Sequence, residues 1–135
     1  MAQEASNTGG QVRQLLTAKN LAVSLPAAGN TTLLEVATAG LDQISVQVDV
    51  TVHALDGFVI QGRVSKDGAF FNLYTTGYTS PTGLLLAASG DLTAQAASST
   101  GWFILDVRSL YAVRVLASGA SDGTLVDIYA GGEGH

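Results

Sequence analysis

Few side chains in this sequence are equipped for chemistry, and their spacing argues against a catalytic centre. The histidines are His53 and His135, and cysteine is absent. Catalysis near neutral pH needs a titratable group close to its working pKa, set beside a nucleophile or a metal. His53 closes a period-two run and reads as a solvated strand residue, while His135 ends a glycine-rich terminus. With no second histidine or cysteine at ligand spacing, no transition-metal site is expected. Gly119-Ala120-Ser121-Asp122-Gly123 matches the Gly-x-Ser-x-Gly form of a nucleophile elbow. That elbow needs a strand before it and a helix after it. Here strand-like residues lie on both sides and no base accompanies the serine, so a hairpin turn is expected. Asp56, Asp67 and Asp122 each precede glycine, a pairing that turn geometry explains. A calcium site would need several converging oxygens, which this spacing does not supply. Asp49, Asp106 and Asp127 fall in strands, where Arg63, Arg108 and Arg114 offer cross-strand partners. No catalytic residue, cofactor or metal is expected, and the chain reads as non-enzymatic.

Any site must therefore be built from surface, and the composition says what kind. In 135 residues only 13% are charged and 47% are hydrophobic. A surface so poor in charge suggests that part of it is covered by a partner or by further copies of the chain. The net charge is -5, and Arg13, Lys19, Arg63, Lys66, Arg108 and Arg114 are scattered rather than gathered into a basic stripe. Direct nucleic-acid binding is not expected. No apolar run approaches the roughly 18 residues of a spanning helix, so no membrane partner is expected. Residues 1–10 lack the basic start and apolar run of a signal peptide.

The strand on which the rest is organised runs from Gln43 to His53. Ile44, Val46, Val48, Val50 and Val52 alternate with Ser45, Gln47, Asp49, Thr51 and His53. Side chains alternate with period two along a strand, so the aliphatic set forms one face that requires an opposing sheet. Further strands are expected over 20–25, 31–38, 58–65, 69–74, 91–96, 102–107, 111–116 and 124–130, and 84–88 is brief and apolar. Asp56-Gly57 and Lys66-Asp67-Gly68 are expected to close hairpins, making a meander of the central strand and the two that follow. The run Thr75 to Gly83 is a loop rich in turn formers, read as a crossover between sheets. About eight or nine short strands with turns between them predict an all-β fold, a two-sheet antiparallel sandwich of jelly-roll or Ig-like type.

Three segments follow from this reading: an N-terminal arm over 1–19, a β-sandwich domain over 20–132 and a C-terminal tail over 133–135. Residues 11–19 suit either one or two helical turns or an extended segment, with Val12, Leu15, Leu16 and Lys19 on one side in the helical case. The arm is either a loose tail or a segment that orders on a neighbouring subunit, in which case Val12, Leu15 and Leu16 are its contact residues. Trp102, Tyr74, Tyr78, Phe70, Phe71, Tyr111 and Tyr129 are either core or an exposed sugar-stacking platform. Tyr78, in the long loop, and Trp102 are the candidate binding residues of that platform.

Asp56 to Val64, Gly101 to Val107, and Tyr111 to Val115 followed by Gly123 to Gly132 carry a resemblance to small virion proteins of tailed bacteriophages. The chain looks most like the β-sandwich proteins that decorate or cement the phage head. The similarity covers roughly 41–132 and lies in low charge, abundant Gly and Ala, a Trp opening a strand and a glycine-ended final strand. It implies a homo-oligomer, a trimer being one form, that binds the major capsid protein and stabilises its lattice. Such a protein would be assembled in the host cytoplasm and sit on the capsid surface. A carbohydrate-binding or receptor-binding module, with a glycan as partner, and a neck or tail subunit are the alternative readings.

Overall fold

The computed structural model describes residues 14–75 and 84–134. Nine strands fall in the order β1 Gln14–Leu25, β2 Thr31–Ala37, β3 Leu41–Val52, β4 Leu55–Arg63, β5 Phe71–Tyr74, β6 Leu85–Ala88, β7 Ser99–Asp106, β8 Ala112–Gly119 and β9 Thr124–Gly134. They form two antiparallel sheets, one of five strands ordered β1-β9-β3-β7-β6 and one of four ordered β2-β8-β4-β5. The chain passes from sheet to sheet at every connection except β4–β5 and β6–β7, and this alternation is the jelly-roll form of the sandwich. Among the described residues no helix is long and apolar enough to cross a membrane.

The valine-rich strand is the centre of the five-stranded sheet. β3 pairs with β7 on one side and β9 on the other, and Ile44, Val46, Val48 and Val50 are buried beneath it. The facing sheet supplies Phe58 and Ile60 from β4 and Val113, Val115 and Ala117 from β8. Across the two layers the Phe58 and Phe103 rings meet edge to face, 6.1 Å between centroids at 74°. This aromatic contact adds to the area term that holds the layers together.

Several connections depart from the sequence reading. β3 and β4 do not pair. The chain reverses at His53-Ala54, where His53 takes the left-handed conformation at φ 59°, and crosses to the other sheet. Asp56 and Gly57 therefore lie inside β4, at an irregularity in its pairing with β8, and of the expected meander only the β4–β5 hairpin forms. The hairpin expected at 118–123 likewise joins strands of opposite sheets, β8 to β9. Short connections suffice for such crossings because the sheets are stacked only about 10 Å apart. The expected strand at 91–96 is a 3-10 turn, Leu92–Ala94. Asp91 caps it, accepting from the Thr93 N–H at 3.0 Å and from its hydroxyl, while Leu92 is buried. A side chain that bonds the backbone locally competes with strand pairing in this way.

The proposed arm is also redrawn. Its boundary at residue 19 falls inside β1, whose residues from Gln14 onward pair with β9 up to Gly134. The proposed tail from residue 133 enters the same ladder, since Glu133 pairs with Leu15 and with Gln43. Apolar side chains spaced for a short helix serve equally for a strand when a sheet edge is available. Leu16 illustrates this, packing partly buried against the molecule's own core.

Candidate functional site

Two solvent faces remain once the core is assigned, and each carries a distinct cluster. On the five-stranded sheet, registration places Gln47 of β3 opposite Trp102 of β7 and opposite Tyr129 of β9. Residues directly opposite in neighbouring strands share a face, so the two rings flank Gln47. Trp102 is 42% exposed and Tyr129 37%, large values for side chains of this size. On the adjacent row Ser45 stands opposite Ile104 and Gly131. Because Gly131 has no side chain, the floor of this row, beside the line of the two rings, is low. The result is a shallow depression of about 440 Å³, lined by Trp102, Ile104, Tyr129, Gly131, Ser45 and Gln47.

Polar groups border this depression. Asp49 accepts from the Gln47 amide at 3.1 Å and from the Thr100 hydroxyl at 2.9 Å. Asp127 lies directly opposite Asp49 and accepts from the Ala22 N–H at 2.7 Å. Ala22 occupies the irregularity of β1 with φ 54°, a conformation that turns its N–H toward Asp127. Like charges held opposite one another repel, and these hydrogen bonds offset that repulsion. The rim is therefore acidic, with Lys19 opposite Tyr129 as a nearby cation.

On the four-stranded sheet the cluster is cationic and aromatic. The Arg114 guanidinium lies 4.0 Å from the Phe70 ring centroid, and that of Arg63 lies 4.8 Å from it and 5.6 Å from Tyr111. Arg114 donates to Gln61 at 2.7 Å, and Gln61 donates to Asn72 at 2.9 Å, making a row across β8, β4 and β5. Neither arginine makes an ion pair among the described residues, and the Arg63 Nε is buried without a partner. The expected cross-strand ion pairs do not form. Asp106 pairs instead with Arg108, two residues on, at 2.8 Å, which lowers the Asp106 pKa and raises that of Arg108. Arg63 and Arg114 lie in the sheet opposite Asp49 and Asp127, and Arg114 stacks on Phe70 although Glu35 stands opposite it in the pairing of β2 with β8.

The remaining sequence candidates are dispersed. Val12, Tyr78 and His135 lie outside the described residues. Leu15 contributes backbone pairing with Glu133, and Leu16 packs partly buried against the core. Tyr74 sits at a sheet margin, its hydroxyl against Asp91 at 3.3 Å and the Leu92 N–H at 3.1 Å. Burial raises its pKa, partly opposed by the Leu92 hydrogen bond. Ser121 is exposed in a turn, its carbonyl accepting from the Thr124 hydroxyl at 2.7 Å, and β9 rather than a helix follows it. No group of three or more His, Cys, Asp or Glu converges among the described residues. Gln47, Ser45 and Gly131 were not singled out from sequence. Alternation assigns Ser45 and Gln47 to the outward face, but only pairing register brings them between two aromatic rings.

No known protein family profile matches the chain, and no curated protein matches it in sequence. Two solved structures are similar. The crystal structure of the SPBc2 prophage-derived protein YomS aligns over 94% of this chain and 99% of that chain, with a TM-score of 0.59 and 9% identity. A Bacillus endospore appendage pilus protein aligns over 98% and 96%, with a TM-score of 0.47 and 11% identity. At such identity the likeness is one of fold: this chain shares the antiparallel β-sandwich of the prophage-derived protein along nearly the whole of both molecules.

Proposed function

We propose that the chain is a non-enzymatic structural protein of a phage-type particle, and specifically a decoration protein that binds the head lattice. The carrying observation is the Arg63–Phe70–Arg114 cluster. Two guanidiniums are held at one ring with no ion pair of their own among the described residues. Planar guanidiniums suit bidentate contact with carboxylates, and aromatic and Arg side chains dominate the anchoring residues of interfaces. The occupant proposed for this face is an acidic patch on the major capsid protein. The fold shared with a prophage-derived protein supplies the setting. Repetition over a lattice multiplies modest contacts into firm attachment.

Mass spectrometry of gradient-purified particles tests this reading. A decoration protein is expected in the particle band at a copy number comparable to that of the major capsid subunit. The double variant Arg63→Glu/Arg114→Glu should stay soluble at the top of the gradient. A few copies per particle would assign the chain to the neck or tail, and its absence from particles would refute the proposal.

A further inference from the structure

The acidic-rimmed depression on the other face is not used by that reading. We infer that it is a carbohydrate-binding platform for an extended chain of neutral or amino-bearing pyranose rings. Tyr129 and Trp102 stand on strands separated by β3 alone. Their backbones are therefore roughly 9.5 Å apart, twice the spacing of hydrogen-bonded strands. Every second ring of an extended β-linked oligosaccharide matches that interval, so two sugar faces meet two aromatic faces while the ring between them passes over Gln47. Pyranose faces carry C–H groups that are attracted to the negative face of an aromatic ring, and hydroxyls need partners at their edges. Gln47 lies on the line between the rings, and Ser45 on one side with Asp49 and Thr100 on the other supply donors and acceptors flanking it.

Shape and charge narrow the occupant further. A Cβ at Gly131 would meet nothing nearer than the Leu16 carbonyl oxygen at 3.9 Å, so the floor is open space and not a packed surface. Asp49 and Asp127 disfavour uronate or sulfated chains. They also disfavour the obvious competitor, a second copy of the same face. A two-fold contact would bring both pairs of carboxylates together, and like charges across an interface cost several kcal/mol. The two rings also fall well short of the roughly 800 Å² per partner of a stable interface.

Trp102 is the sole tryptophan and reports on its own site. The purified chain is titrated with chitotetraose, cellotetraose, maltotetraose and tetragalacturonate, following tryptophan emission and heat of binding. A saturable change is expected with chitotetraose or cellotetraose, with the curved maltotetraose weaker and tetragalacturonate silent. Trp102→Ala and Tyr129→Ala should each weaken calorimetric binding by about tenfold or more. Gly131→Val should abolish it with an unchanged melting temperature, because the added side chain fills the floor without touching the core. No saturable response to either extended neutral chain overturns the inference, as does equal binding by tetragalacturonate or undiminished binding by Gly131→Val. These measurements use the isolated chain, so their failure leaves the particle role standing, and the reverse also holds.

Discussion

The edge-to-face contact of Phe58 on β4 with Phe103 on β7 is the place where the stacking of the two layers is most directly open to measurement. Both side chains are fully buried and each comes from a different sheet. Phe58→Ala should cost about 3 to 5 kcal/mol, the range for deleting a buried phenylalanine and leaving a cavity. Against a total stability of about 5 to 15 kcal/mol this is a large fraction. For a chain of 135 residues it corresponds to a fall in Tm of roughly 10 to 18 °C. The pair term is isolated by Phe58→Leu, Phe103→Leu and the double variant, with a coupling of about 0.5 to 1.5 kcal/mol expected. Urea unfolding followed by far-UV circular dichroism is the assay, because the half-exposed Trp102 reports poorly on the core. Phe71→Ala, on an exposed side chain, serves as the control and should stay within about 0.5 kcal/mol. Additive costs for the two leucine variants, or an alanine cost below about 1 kcal/mol, would refute the packing of β4 against β7.

Adjacent glycines in β9 should behave oppositely. A Cβ at Gly132 would lie 2.7 Å from the Gln43 carbonyl oxygen, so Gly132→Ala is expected to lose about 1 to 3 kcal/mol by pushing β9 off β3. Gly131→Ala, with open space above it, should change stability by no more than about 0.5 kcal/mol in the same urea assay. His53→Gly should raise stability by about 0.5 to 1 kcal/mol, since His53 is exposed and holds φ 59° at the β3–β4 crossing. The Thr93 side-chain and backbone hydrogen bonds lower the Asp91 pKa, so its contribution is present above the ordinary carboxylate range and is lost as pH falls through the lowered value. Melting curves between pH 2 and 7 should therefore show wild type above Asp91→Asn near neutrality and the two converging in acid. A constant gap would contradict the role given to the cap. Deleting residues 1–19 removes the Gln14 to Lys19 pairs with β9 and should lower the melting temperature.

The sandwich was legible because its strands announce themselves locally. Four valines and an isoleucine at period two, β-branched and alternating with polar residues, admit no other regular structure. Register and sheet membership were not legible. The same turn residues serve a hairpin and a crossing between layers, so Lys66-Asp67-Gly68 joins paired strands while His53-Ala54 and Ala120-Ser121-Asp122-Gly123 join opposite sheets. The two surface clusters were not legible either, because each is assembled from strands distant in sequence. Arg63, Phe70 and Arg114 meet across β4, the β4–β5 turn and β8. Trp102 and Tyr129 become a pair only when β3 lies between them. Asp106 was expected to pair across strands and instead found Arg108 two residues away, a contact that local geometry settles first.

The claim on which the account rests is that this molecule works through its sheet faces. Hydroxyl-radical footprinting of the chain, free and bound to purified particles, tests it most directly. The account predicts that Phe70 and Tyr111 lose reactivity on the particle while Trp102 and Tyr129 keep their free rates. Unchanged oxidation of Phe70 and Tyr111 in the bound chain would contradict it.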